Sequence, residues 1–175
     1  LISMAGFAGM EATFGLWAEA KFGWGPREIG FCFFAIAITA ASAQGFLTGF
    51  MARRIGETTT LMIGLALIFL GFSMQPFVPT WQLAVVGMIT VALGQSLAFP
   101  NIAAIISKAA SPERQGEMMG LNSAAGALAR IIGPLMAAPL FMNLGPSAPF
   151  AVAAGLCVPA LFMAWRVSKA MRRSA

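Results

Sequence analysis

From residue 58 to residue 107 not one side chain carries a formal charge, and from 131 to 165 the same is true again. Such stretches constrain the fold more than any other feature of the chain. About 20 consecutive apolar residues cross the hydrocarbon core of a bilayer. Inside that core the backbone must satisfy its own hydrogen bonds, which a helix does within one segment. Composition agrees. Apolar residues make up 59% of the chain and charged residues 10%, with mean hydropathy +0.82, against roughly a quarter charged in soluble domains. The reading is an all-α integral membrane protein.

The prolines, glycines and charges divide the chain into six apolar spans, approximately 1–18, 28–51, 58–76, 80–106, 117–142 and 147–166, followed by a basic tail over 167–175. Lys and Arg fall on alternate connectors. One side collects Arg53, Arg54, Lys108, Arg114, Arg166, Lys169, Arg172 and Arg173, while the other has only Lys21 and Arg27. By the positive-inside rule both ends of the chain are cytoplasmic. The net charge of +5 therefore marks membrane orientation and does not point to nucleic acid. Trp17, Trp24 and Trp81 fall at the outer interface and Trp165 at the inner one, as in an aromatic belt. The chain begins at Leu1 without Met, with no charged segment ahead of the first span, so we expect an N-terminally truncated fragment and no signal peptide.

Several chemistries are excluded by composition. There is no His, Asp or Tyr, which removes His-based metal sites, His-ligated haem and Ser–His dyads. Neither a metal nor a cofactor is expected. Cys32 and Cys157 both lie in apolar runs and read as packing residues, not as a disulfide. No nucleophile–base pair stands out, so a six-span intramembrane enzyme is a remote alternative. Polar content sorts the spans: the third and sixth are almost wholly apolar and read as lipid-facing. The other four carry Glu11, Gln44, Gln95, Asn101, Asn122 and Arg130, which need protein or water around them. Four inner and two outer helices make a three-plus-three arrangement, a pattern of transporter halves.

Two motifs carry a resemblance. Between the second and third spans, Gly49, Arg53, Arg54 and Gly56 stand in a stretch that resembles the loop motif of the major facilitator superfamily, Gly-x-x-x-Asp-Arg-x-Gly-Arg-Arg. Arg53 replaces the Asp and Glu57 the following Arg, so the Asp's role is not carried over. In the fifth span Gly120, Ala129, Gly133, Pro134, Ala137 and Ala138 keep the spacing of the family's antiporter motif, with Ala for three of its glycines. Lys21 to Pro26 and Ser111 to Gly120 are similar to connectors of the tetracycline-resistance-type exporters. The resemblance spans the whole chain and implies the C-terminal six-helix half of a twelve-helix carrier in a cell membrane, here a bacterial inner membrane. The partners it implies are a small organic solute or drug, protons, the lipid bilayer and an N-terminal six-helix half. It places the fifth span at the seam between the halves. The implied activity is secondary transport by alternating access in exchange for protons; a uniporter or symporter for another small solute is the alternative.

Two charges fall deep in the membrane. Glu11 precedes Glu19 by two turns, roughly 12 Å, and Arg130 lies midway along its span. An intramembrane ionisable residue is a functional candidate by default. Glu11 reads in three ways: a proton-coupling or substrate site, an ion pair with Arg130, or a group facing water or the other half. Arg130 is a candidate for substrate contact or for a structural role. Gln95 and Asn101 flank Pro100, whose ring frees the carbonyl of Ser96 and reads as a break in the helix. With Asn122, these amides are candidates for substrate contact or for interhelical hydrogen bonds. Phe14, three residues after Glu11, is expected to share its face.

Overall fold

The computed structural model describes residues 1–171. These residues form six long helices: α1 (Ile2–Phe22), α2 (Pro26–Ile55), α3 (Glu57–Met74), α4 (Trp81–Ala109), α5 (Gln115–Leu144) and α6 (Ala148–Met171). Helices α2 to α6 are each long and apolar enough to cross a membrane. The 21 residues of α1 match the hydrocarbon thickness as well, but they carry Glu11, Glu19 and Lys21. The sixth helix continues past the expected end at 166. Arg172 and Arg173 of the expected tail lie outside the described residues.

Glycines end the first two helices. Gly23 adopts φ 68° and its N–H bonds the carbonyl of Glu19, closing α1 four residues beyond the expected boundary. A side chain at that φ would be strained. No breaker intervenes between Gly49 and Gly56, so Gly49, Arg53 and Arg54 lie on the last turns of α2 and not in a loop. Gly56 alone makes the turn, at φ 84°. The Arg54 guanidinium sits 5.3 Å over the Phe50 ring, while Arg53 is exposed. Just past the turn, Glu57 pairs with Lys108 at 2.7 Å and so ties the start of α3 to the end of α4.

The first three helices find their main partners among the last three: α1 packs on α5 and α6, α2 on α4, and α3 on α4 and α6. Lipid tails are as apolar as a leucine core, so close backbone approach and van der Waals contact hold helices together here. The residues supply both. Gly64 and Gly71 of α3 meet Gly94 and Gly87 of α4. A Cβ at Gly64 would lie 2.6 Å from the Gly94 carbonyl oxygen, and one at Gly71 would lie 2.7 Å from that of Gly87. Leu65, Ile68 and Phe72 fill the space between these crossings. Gln75, fully buried at the end of α3, donates to the Ala84 carbonyl at 2.9 Å.

Two expectations change here. The apolar spans α3 and α6 are well covered in this unit, and each keeps one exposed apolar strip, with Phe69 and Leu70 on one and Val158 and Phe162 on the other. The least covered helices are α2 and α5. Polarity reports which helix needs a polar partner; coverage depends on which helix has the small residues that let a neighbour close in. Trp17 also leaves the belt. It is fully buried, stacks 4.9 Å from Phe150, and donates its indole N–H to the Ser147 hydroxyl at 3.2 Å. Cys32 and Cys157 are buried free thiols.

Candidate functional site

Three polar residues, each near the middle of its helix, line one cavity of about 420 Å³: Glu11 of α1, Gln95 of α4 and Arg130 of α5. Met4, Phe7, Phe99 and Gly126 complete most of its wall. Equal depth is what a site at the bilayer midplane requires. Local packing on the α1–α5 side explains why these groups converge. On α5, Gly126, Ala129, Gly133 and Ala137 form one buried stripe. Gly133 sits against the Ala5 carbonyl and the Gly9 amide of α1, and a Cβ at Gly9 would come within 2.6 Å of the Gly133 carbonyl oxygen. Ala129 is fully buried. Because Arg130 follows it directly, its side chain is turned about 100° round the helix, onto the cavity wall.

The small-residue stripe is not the open face of α5. Ala129 and Gly133 pack inside the unit, against α1, and not on a face left for another half. Pro134 is half-buried beside them, and Gly120 is exposed with open space around its Cα. The face of α5 that remains open carries Leu121, Leu128, Ile131 and Leu135.

Glu11 and Arg130 share the cavity, but among the described residues they make no ion pair within 4.0 Å; the pairs present are Lys108–Glu57 and Arg114–Glu117. Both side chains are exposed. Gln95 is half-buried, and its Nε2 is buried without a hydrogen-bond partner. An unmet buried donor costs about 1–3 kcal/mol. The site thus presents a guanidinium as donor, a carboxylate as acceptor, and aromatic and thioether walls. A small solute with an acceptor group and an apolar body suits that set.

The other candidates lie elsewhere. Asn101 is buried and donates to the Leu97 carbonyl of its own helix at 2.6 Å. Asn122 is half-buried on α5, away from the cavity lining. Phe14 does not share the face of Glu11. It joins Met10 and Trp17 on the buried side of α1 and packs 5.5 Å from Phe33 and 6.5 Å from Trp24. A three-residue step leaves the two side chains some 60° apart, enough at the edge of a buried face to put one in the core and one in the cavity.

Pro100 does not break α4, which runs on to Ala109. The carbonyl of Ser96, freed by the proline ring, accepts from the Thr48 hydroxyl at 2.9 Å. Thr48 follows a π-helical turn, Ala43–Leu47, in α2, and the carbonyl of Ala43 lies 3.0 Å from the same hydroxyl. One proton serves two acceptors, so the irregularities of α2 and α4 are sealed against each other. Sequence reasoning named the freed carbonyl but missed its partner, because Thr48 and Ser96 are distant in the chain.

A helical membrane bundle with a polar cavity between α1, α4 and α5 at mid-helix is a pattern of transporter halves. The match to known proteins agrees: residues 1–174 match the Major Facilitator Superfamily, and the chain belongs to that family, whose members are transporters. Mouse major facilitator superfamily domain-containing protein 10 is 28% identical over 92% of this chain and 35% of its own length. The class C tetracycline resistance protein of Escherichia coli is 29% identical over 72% of this chain and 32% of its own. The crystal structure of the human organic anion transporter MFSD10 (TETRAN) superposes with a TM-score of 0.84 at 27% identity, over 93% of this chain and 38% of that one. The chain thus spans about a third of the length of these relatives. The likeness is to the superfamily at large, and the tetracycline exporters are not singled out within it.

Proposed function

We propose that this chain forms six helices of a twelve-helix secondary transporter that carries a small organic solute by alternating access. In this reading the cavity between α1, α4 and α5 is part of the transport path, and the exposed apolar face of α5, with Leu121, Leu128, Ile131 and Leu135, receives an N-terminal six-helix half. The observation that carries it is the convergence of Glu11, Gln95 and Arg130 from three helices at one depth. Arg130, exposed on the cavity wall, favours a solute bearing an anionic or acceptor group. The organic anions named for the human relative are the first class to test. The arginine-rich ends of the helices lie on the cytoplasmic side.

Coupling to protons is the finer part of the proposal. Among the described residues Glu11 is the one carboxylate that lines the cavity, and the coupling role is proposed for it. A uniporter or symporter in which Glu11 and Arg130 only shape the cavity is the competing reading, and the family match, which carries no sign of proton coupling, supports it better. Transport by the complete carrier in proteoliposomes with an imposed pH gradient separates them. Exchange predicts that Glu11→Gln abolishes uphill, proton-driven uptake while leaving downhill counterflow of solute. If Glu11→Gln retains full uphill transport, Glu11 is not the coupling group. If Arg130→Ala leaves the KM of organic anions unchanged, the anion reading is wrong.

A further inference from the structure

We propose that the crevice between α2 and α4, at the tryptophan-bearing end of the bundle, is a binding site for one zwitterionic phospholipid. The crevice holds about 410 Å³ and is separate from the cavity of Glu11 and Arg130. Its α2 wall is Glu28, Phe31, Cys32 and Ala35, the i, i+3, i+4, i+7 face of one helix. The carboxylate therefore stands at the mouth, and the floor lies about 10 Å deeper along the helix. Across the crevice, Val85 continues the apolar floor, while Trp81 and Trp24 frame the mouth with rings 6.5 Å apart, inclined at 60°.

The polarity runs in the direction of a lipid in its leaflet. One oxygen of Glu28 accepts the Gly25 amide at 3.0 Å; the other has no protein donor among the described residues. The guanidinium of Arg27, just outside the lining, lies 5.8 Å over the Phe31 ring. Anion and cation are thus fixed side by side at the first turn of α2, where unpaired amides also favour negative charge. The ammonium of a zwitterionic headgroup fits against Glu28 and the indole faces, with its phosphate at Arg27. An acyl chain then descends along Phe31, Ala35 and Val85. A phosphatidylglycerol headgroup would have no ammonium to offset Glu28, and a free amine would leave Arg27 and the apolar floor unused. The indoles sit at the depth where such headgroups lie.

Native mass spectrometry of the delipidated, purified protein tests this, with phosphatidylethanolamine, phosphatidylcholine and phosphatidylglycerol titrated separately. One ethanolamine or choline lipid should bind per chain, about tenfold more tightly than the glycerol lipid, and Glu28→Gln or Trp81→Ala should weaken it by about tenfold. Val85→Trp, which fills the floor, should abolish that single site, whereas Val158→Trp on the exposed strip of α6 should not change it. Binding that ignores the headgroup, or that survives Val85→Trp, overturns the proposal and leaves only annular lipid. A second measurement needs no variant. Acyl-brominated phosphatidylethanolamine should quench the intrinsic tryptophan fluorescence at lower mole fraction than acyl-brominated phosphatidylglycerol; equal quenching also overturns it.

Discussion

The crossing of α1 over α5 sets the width of the cavity, and a single methyl group tests it. In Gly9→Ala the new Cβ would lie 2.6 Å from the Gly133 carbonyl oxygen, 3.1 Å from its carbonyl carbon and 3.0 Å from the Ala137 Cβ. The first contact falls about 0.8 Å short of ordinary van der Waals separation. Two of these atoms are backbone in the middle of a helix, so no rotamer relieves the clash and the helices must part. Overpacking of this kind costs about 1–3 kcal/mol. At about 2–4 °C per kcal/mol for a chain of this size, the melting temperature in detergent should fall by several degrees. Glu11 and Arg130 lie beside the crossing, so solute affinity should fall as well. Gly30→Ala and Gly155→Ala are the controls. Nothing lies within 4 Å of a Cβ at either position, and the helix gains up to about 1 kcal/mol from losing a glycine. If Gly9→Ala melts with the controls and transports like the wild type, the close crossing is not what holds the cavity and the argument fails.

Two further outcomes follow from the polar contacts. Thr48→Val should leave the Ser96 carbonyl unpaired beside Pro100 and cost about 1–3 kcal/mol. Thr48→Ser keeps the hydroxyl and should melt near the wild type, and equal melting of the two variants would refute the cap. For the Glu57–Lys108 pair, whose side chains are 22% and 67% exposed, a double-mutant cycle with Glu57→Gln and Lys108→Met should give a coupling below about 1 kcal/mol. That coupling should shrink in high salt, and a larger, salt-insensitive value would assign the pair a structural weight its exposure does not support.

The number of helices and their membrane character were legible in the sequence because each rests on local chemistry. Uncharged runs of sufficient length must be helices in lipid, and Gly23, Gly56 and Gly145 stop them wherever the chain needs positive φ. The mid-helix positions of Glu11 and Arg130 were legible too, since depth along a helix is a count of residues times the rise. The glycines 64, 71, 87 and 94 were a readable signal that went unread: their seven-residue spacing marks one face of each helix.

What the sequence determined by itself was which residues share a depth; tertiary structure decided which of them share a space. Phe14 and Glu11 are three residues apart, yet one lies in the aromatic core and the other in the cavity, because the boundary between those environments is drawn by the neighbours of α1. Asn101 turns to its own helix, while Gln95, two turns earlier, faces the open cavity. Thr48 meets the carbonyl that Pro100 exposes only because α2 carries a π turn opposite it. In a membrane the solvent does not sort side chains as water does: apolar faces are equally content against lipid or protein. The packing of helices, set by where small residues allow backbones to close, therefore decides which polar groups meet.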